Sequence, residues 1–375
     1  MIFGIQIIGV IFALFMTYLT FLYYKRGNYH LRDFGVWMFV WLSFICVVLS
    51  PTSFGGLLNP LKVSRLMVVV GTRPEIIKMS PVIRECERQG LDFFTLHTGQ
   101  HYSHNMDGVF FEQLGLPDAG YNLDVGSGSH AEQTGKILSG VEGVLVKESP
   151  DVVLVEGDTN TVLAAALAAS KLHIGVGHVE AGLRSFDKGM PEEVNRVLTD
   201  HCSDLLFAPT GGAYINLVSE NIPKEKVFVT GNTVVDAVNR NLGIADGVVD
   251  VFGDLGVEPG EFFLFTLHRQ ENVDDGKRLG SILKGLELLS HEFGLRVVYP
   301  VHPRTRKMIE GFGFHINGMD LIEPVDYLRF LQLESRARLV LTDSGGVQEE
   351  ACVLGVPCVT LREAAILRGF WSAHD

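Results

Sequence analysis

Three carboxylates stand where glycine or proline fixes the backbone beside them: Asp158 in Glu156-Gly157-Asp158, Glu180 in Val179-Glu180-Ala181-Gly182, and Glu192 in Met190-Pro191-Glu192. A single acid at a helix start is ordinarily a cap, since it satisfies free backbone N–H groups. Three on successive turns of one sheet edge form an acidic wall, suited to proton transfer and to stabilising a developing positive charge. Metal binding is the competing reading. No His joins the acids at a recognisable ligand spacing and the five cysteines form no CxxC pair, so no metal is expected and the thiols read as reduced and mostly buried. Two histidines follow apolar runs later in the chain, His268 in Thr266-Leu267-His268-Arg269 and His302 in Pro300-Val301-His302-Pro303. A lone His is more often structural, whereas two at strand ends over one cleft point to acid–base or binding work.

Two further turns have the chemistry of anion binding. Gly71-Thr72-Arg73-Pro74-Glu75 places Arg73 at a strand-to-helix turn with Lys78 one turn on, and helix N-termini attract anions. The bland alternative there is a solvated Arg-Glu pair. Thr342-Asp343-Ser344-Gly345-Gly346 is more specific: the glycine pair lets the backbone approach a diphosphate, Ser344 adds a hydroxyl, and Glu350 stands on the helix that follows, where it suits ribose hydroxyls. An N-capped helix is the alternative, but a cap does not need two glycines.

The elements carrying these turns alternate as strand and helix. Short apolar runs at 65–70, 93–98, 151–155, 174–178 and 204–208 read as buried parallel strands, with helices after the first and third. The pattern restarts after an expected linker at 243–260, with strands at 262–266, 296–300 and 337–342, and helices at 279–293, 325–334 and from Gly345 to Leu354. The expected fold is α/β, two doubly wound Rossmann-like domains spanning 65–240 and 241–375, with ligands at the strand C-termini in the cleft between them.

The ordered blocks GTRPEIIKMSPVI, EGDTNTVLAAALAA, GHVEAGLRS, MPEEVNR, GNTVVDA, LHRQEN, YPVHP and LTDSGGVQEEA resemble the non-hydrolysing UDP-N-acetylglucosamine 2-epimerase family over about Leu66 to Leu361. The resemblance implies a glycosyltransferase-B-like fold and interconversion of UDP-GlcNAc and UDP-ManNAc with no redox cofactor. It implies catalytic roles for Asp158, Glu180, Glu192 and His268. It places Arg73 and Lys78 at nucleotide- and phosphate-contacting positions, Ser344, Gly345, Gly346 and Glu350 at the diphosphate and ribose, and Phe330 beside the uracil; His302 joins the substrate-binding set. The family's route expels UDP from C1 while C2 is deprotonated, then readds it to the resulting 2-acetamidoglucal. Which carboxylate serves which face stays open. A membrane-associated glycosyltransferase of the same fold and an inactive UDP-sugar-binding remnant are the alternatives. Past Leu361-Arg362 the chain departs from the family pattern, so the second domain is expected to be incomplete, truncated before the terminal helices, and marginally stable.

The formal charge of -13 argues against a nucleic-acid partner, which needs clustered Lys and Arg. The mean hydropathy is positive, and its source is local. Residues 1–24 are almost wholly apolar and long enough to cross a bilayer, and 34–49 form a shorter run that either spans or lies in the interface. Residues 1–60 therefore read as a membrane-anchor segment of one or two hydrophobic helices, similar to a small family of short membrane proteins; a buried core hairpin is the alternative. Lys25, Arg26 and Arg32 favour a cytoplasmic loop between the runs. Two spans would then put the remainder outside, so either the second run does not span or Lys62 and Arg65 reverse the hairpin. The expected state is a membrane-associated homodimer with a cytoplasmic catalytic domain.

Overall fold

The computed structural model describes residues 16–26, 36–38, 63–100, 110–248, 250–314 and 316–361. The chain divides into two units, residues 1–63 and 64–375. In the first, residues 16–25 are helical, and the Thr20 hydroxyl donates to Met16 O at 2.9 Å. Among the described residues no helix is long and apolar enough to cross a membrane. Most of the two apolar runs, and the departure from the family pattern past Leu361, lie outside the described residues.

The second unit holds two sheets, and every strand pairing described in them is parallel. The first is built from β1 (Leu66–Val70), α1 (Arg73–Gln89), β2 (Phe93–His97), β3 (Tyr121–Asn122), α2 (His130–Glu148), β4 (Val152–Glu156), α3 (Asn160–Lys171), β5 (Gly175–Val179), α4 (Pro191–Cys202), β6 (Leu205–Ala208), α5 (Gly211–Ser219) and β7 (Val227–Val229). Its strand order is β3-β2-β1-β4-β5-β6-β7. Helix α6 (Thr233–Val248) leads to the second sheet, made of β8 (Phe262–Thr266), α7 (Gly276–Phe293), β9 (Arg296–Pro300), α8 (Pro303–Gly311), β10 (Met319–Ile322), α9 (Tyr327–Arg336), β11 (Leu339–Thr342), α10 (Gly345–Leu354) and β12 (Cys358–Thr360), in the order β10-β9-β8-β11-β12.

Both orders reverse once, between β1 and β4 and between β8 and β11. At such a reversal the loops leaving neighbouring strands diverge to opposite faces and open a crevice at the strand C-termini. The loops at 71–73 and 156–158 flank the first crevice, and those at 267–269 and 343–345 flank the second. These are the turns that sequence chemistry singles out.

Burial explains why the runs form strands. β1 is buried at every position, because one core cluster covers its Met67/Val69 face and another its Val68/Val70 face. A strand covered on both sides must be apolar throughout. β8 repeats this in the second sheet, with Phe263 and Phe265 in one cluster and Phe262 and Leu264 in the other.

The expected linker at 243–260 is a correction. α6 runs through to Val248, across the boundary placed at 240/241, and Val251–Leu255 form another short helix. Val234, Ala237, Val238, Asn241 and Ala245 make a fully buried helical stripe. α6 packs on α1 of the first sheet and on α9 and α10 of the second. That packing offsets the roughly 1 kcal/mol that each interior glycine, Gly243 and Gly247, costs a helix relative to alanine.

Gly182, just after Glu180, is the tightest backbone approach in the first domain. Its φ is +82°, and a Cβ there would lie 2.4 Å from Ala213 O. Gly182→Ala is therefore expected to destabilise the protein by about 2 kcal/mol or more, read as a lower denaturant midpoint at unchanged slope. An unchanged midpoint would show that the loop relaxes.

Candidate active site

Lys78, on the second turn of α1, is the charge centre of the cleft. Its ammonium lies 2.5 Å from Glu180 Oε2, 3.2 Å from Glu349 Oε2 and 3.5 Å from Glu156 Oε1. Glu156 ends β4 and Glu180 follows β5, whereas Glu349 comes from α10 of the second sheet, so one side chain joins both domains. Burial works to lower the Lys78 pKa, but the three carboxylates outweigh it and hold the ammonium charged. One cation does not balance three acids. Burial pushes Glu156 well above the usual carboxylate range and raises Glu349, against the pull of Lys78.

Asp158 pairs with Arg196 of α4, and Asn195 Nδ2 donates to Asp158 O at 2.9 Å. Burial raises the Asp158 pKa, Arg196 opposes this, and nearby Glu180 adds to it. A carboxyl held in that way exchanges protons nearer neutral pH than an ordinary aspartate. Glu180 has φ +68°, a left-handed conformation that costs a non-glycine residue on the order of 1 kcal/mol. The loop is held there by Asp200, fully buried on α4, which accepts from Gly182 N at 3.2 Å and meets His178 Nδ1 and Arg184 Nη2, each at 2.7 Å. Burial tends to raise Asp200, and those two partners bring it below its ordinary value. The other end of the His178 ring meets Gly157 O at 2.8 Å, beside Asp158.

The second sheet uses the same device. Asp343, fully buried at the end of β11, accepts from His268 N, Arg269 N and Asn272 Nδ2 at 2.9–3.2 Å, and its Oδ1 lies 2.8 Å from His268 Nδ1. Burial acts to raise this carboxyl, but the donors win and hold it at about 2. The carboxylate orients the imidazole, whose side chain remains half exposed.

Eight of the twelve sequence candidates line two cavities, whereas Glu180, His268, Gly345 and His302 line neither. One of about 380 Å³ is lined by Arg73, Lys78, Phe330, Ser344, Gly346 and Glu350, together with Phe110, Tyr327 and Glu349. Arg73 stacks over the Phe110 ring at 5.7 Å, and Gly345 opens α10 between Ser344 and Gly346. Ser344 caps α10, its Oγ facing Val347 N at 3.5 Å. The second cavity, about 330 Å³, is lined by Asp158 and Glu192 with His130, Asn160, Pro191 and Asn195. Glu192 is exposed at the start of α4; its neighbour Glu193 is buried and accepts from Ser185 N, Ser185 Oγ and Phe186 N at 2.9 Å. His302 lines neither cavity. It is exposed and caps α8, its Nδ1 accepting from Arg304 N at 3.3 Å. Among the described residues no group of three or more His, Cys, Asp or Glu is arranged to hold a metal ion.

Sequence reasoning missed Glu156, Glu349, Asp343, Asp200, Arg196 and Tyr327. Five of these six lie inside or beside the recognised blocks, and the signal available for them was adjacency: Glu349 next to Glu350, Asp343 next to Ser344, Arg196 closing MPEEVNR.

Two parallel, doubly wound sheets with facing switch-point loops, cations and a glycine turn beside one cavity, and carboxylates beside the next define a two-domain protein of the glycosyltransferase-B-like class. Residues 84–366 match the family model described as UDP-N-acetylglucosamine 2-epimerase. The UDP-N-acetylglucosamine 2-epimerase of Methanocaldococcus jannaschii is 55% identical over 306 residues, covering 80% of this chain and 84% of that protein. The UDP-2,3-diacetamido-2,3-dideoxy-D-glucuronate 2-epimerase of Pseudomonas aeruginosa is 46% identical over 302 residues, covering 80% and 83%. A crystal structure of the M. jannaschii enzyme in complex with UDP-GlcNAc and UDP superposes with a TM-score of 0.73 at 54% identity, covering 80% of this chain and 85% of that one. The chain belongs to the UDP-N-acetylglucosamine 2-epimerase family.

The Asp343 clasp has a pH signature. Its folded pKa, about 2, lies below the ordinary 3.8, so its stabilisation is full above pH ~4 and is lost as pH falls through ~2. Asp343→Asn is therefore expected to melt lower than wild type above pH ~4, with the gap closing toward pH ~2. A gap that stays constant over that interval overturns the assignment.

Proposed function

We propose that this protein epimerises UDP-N-acetylglucosamine to UDP-N-acetylmannosamine at C2, by eliminating UDP and adding it back. The observation that carries this reading is Lys78, which joins the carboxylates of Glu156 and Glu180 in one domain to Glu349 on the helix that opens at the glycine turn of the other. The C2 proton of the sugar has little acidity of its own. It leaves readily only when the C1–O bond to the diphosphate breaks in the same process, with charge developing at C1. Such a step asks for cations and helix N–H groups at the departing diphosphate, negative charge near C1, and a proton-transfer group on each face of the ring.

Arg73, Lys78 and the N-terminus of α10 supply the first in this proposal. Glu180 and Asp158 supply the second and one of the faces. Readdition of UDP to the 2-acetamidoglucal from the same pocket, with protonation of the opposite face, gives the epimer and regenerates the enzyme without a redox cofactor. His268, steadied by Asp343, acts from the second domain on the departing phosphate or on the sugar. Glu350 receives the ribose hydroxyls and Phe330 packs beside the base. The Pseudomonas relative is named for a different 2-acetamido UDP sugar, so substrate choice within that class is tested with both compounds.

The membrane anchor in residues 1–50 and the homodimer belong to the same proposal. The anchor rests on the two apolar runs, and the family's substrate requires the catalytic unit on the cytoplasmic side.

Incubation with UDP-GlcNAc in deuterated water is expected to place deuterium at C2 of both epimers; transfer of the sugar to an acceptor instead would mark a glycosyltransferase, and neither reaction an inactive remnant. Asp158→Asn and Glu180→Gln are expected to lower kcat by about 100-fold or more while UDP affinity stays near wild type. Near-normal turnover in both variants would remove the carboxylates from the chemistry.

For the anchor, the full chain is expected in the membrane fraction, resistant to high salt and carbonate and released as a dimer by detergent. Recovery of the full chain as a monomer in the supernatant would refute both the anchor and the homodimer.

A further inference from the structure

Glu334, on α9 two turns after Tyr327, is fully buried, and neither of its carboxyl oxygens meets a donor among the described residues. Its neighbour is the other acid at the back of the proposed nucleotide cavity: α9 and α10 pack together and set the Glu334 and Glu350 carboxyls against each other. Two carboxylates in contact inside an apolar core cannot both be ionised, so one of the pair carries a proton. The surroundings decide which. Glu350 receives the Tyr327 hydroxyl on Oε1 at 3.0 Å and lines the cavity, with Lys78 and Glu349 beyond it. Glu334 is fully buried and does not line the cavity, its charge is felt by the Cys358 thiol and the Tyr327 hydroxyl, and among the described residues no cation pairs with it.

We propose that Glu334 is a neutral carboxylic acid that donates its proton to Glu350, a positioning residue that keeps Glu350 ionised and turned outward as an acceptor for the nucleotide's sugar hydroxyls. The inference rests on the reading of Glu350 as the ribose contact. Two donors hold the inner side of the Glu350 carboxylate, Tyr327 and Glu334, which leaves its remaining lone pairs toward the cavity. Burial lifts the Glu350 carboxyl to about 7, and these two hydrogen bonds pull against that rise, as does Lys78, while Glu349 adds to it. Without the Glu334 donor the Glu350 carboxyl would take up its proton at a higher pH and become a poorer acceptor. UDP binding, which favours ionised Glu350, would then weaken most on the acid side.

Calorimetric titration of the full chain with UDP tests this in Glu334→Leu, Glu334→Gln and Glu350→Ala. The Leu variant removes a buried polar group and is expected to melt at or above wild type, yet to bind UDP about tenfold or more weakly at neutral pH. That deficit should grow toward pH ~6 and shrink toward pH ~9. The Gln variant, whose amide still donates, should stay within about threefold of wild type. Leu binding equal to wild type, a deficit unchanged with pH, or Gln as weak as Leu would each overturn the proposal. Should the Leu variant fail to fold, infrared difference spectra of wild type against Glu334→Gln decide it: a protonated-carboxyl C=O band lost in the variant supports it, and no such band overturns it. Unchanged UDP binding in Glu350→Ala would instead remove the ribose reading beneath it, whereas weakened binding there with an unaffected Leu variant would remove this inference alone.

Discussion

An ammonium enclosed by carboxylates from two different sheets sets the terms for the rest of this molecule. Lys78 reaches Glu156 and Glu180 in its own domain and Glu349 in the other, all four side chains being largely buried. At an effective dielectric near 20, each of these contacts of 2.5–3.5 Å is worth roughly 5–7 kcal/mol of Coulomb attraction before desolvation is charged against it. Removing the ammonium would leave several acids facing one another without a counterion. The same arithmetic leaves burial free to push the Glu156 and Glu349 carboxyls upward, because one positive charge cannot hold three negative ones in an apolar setting. A site with an excess of acids over cations therefore holds protons more tightly than free carboxylates do, and proton movement is what inversion at a carbon requires.

Each domain then solves the same mechanical problem in the same way. A loop leaving a strand end has few packing contacts of its own, so a reactive side chain on it needs something to fix its direction. Asp200 does this for the Glu180 loop, through Gly182 N, His178 and Arg184, and Asp343 does it for the His268 loop, through two backbone N–H groups, the imidazole and Asn272. Both aspartates are wholly buried, and both are held ionised by their donors against the effect of burial. Glu334 behind Glu350 is a buried acid of another kind, proposed above to be neutral because among the described residues no cation or backbone donor reaches it.

Helix α6 is what lets the two halves face each other. Its buried stripe is shared by α1 from the first sheet and by α9 and α10 from the second. The elements it touches are the ones that carry Lys78, Tyr327 and Glu350. Phe110 and Tyr327 meet edge to face at 6.0 Å across the same seam. The cavity of about 380 Å³ is thus walled by elements from both domains packed on one helix.

By itself the sequence determined the strands, the fold class and the turns that flank the cleft. β1, β4, β8 and β11 announce themselves as short apolar runs because a parallel strand buried on both faces tolerates nothing else, and the glycine, proline and acidic residues after them mark turns for steric and hydrogen-bonding reasons that are local. Arg73, Lys78, Asp158, Glu180, Ser344 and Glu350 were legible for that reason. Only the tertiary structure decided how charges are shared. Nothing local tells that Glu349 crosses to Lys78, that Asp343 holds His268, that His302 spends its ring on capping α8, or that Glu334 is pressed against Glu350. Helix α6 was hidden in the same way: Gly243 and Gly247 argue against a helix, and the packing that overrides them comes from chain more than 70 residues away on either side. Hydrophobic periodicity is written into neighbouring residues, whereas a pKa, an ion pair or a clasp depends on distance and burial between residues far apart in the chain, which exist only after the chain has folded.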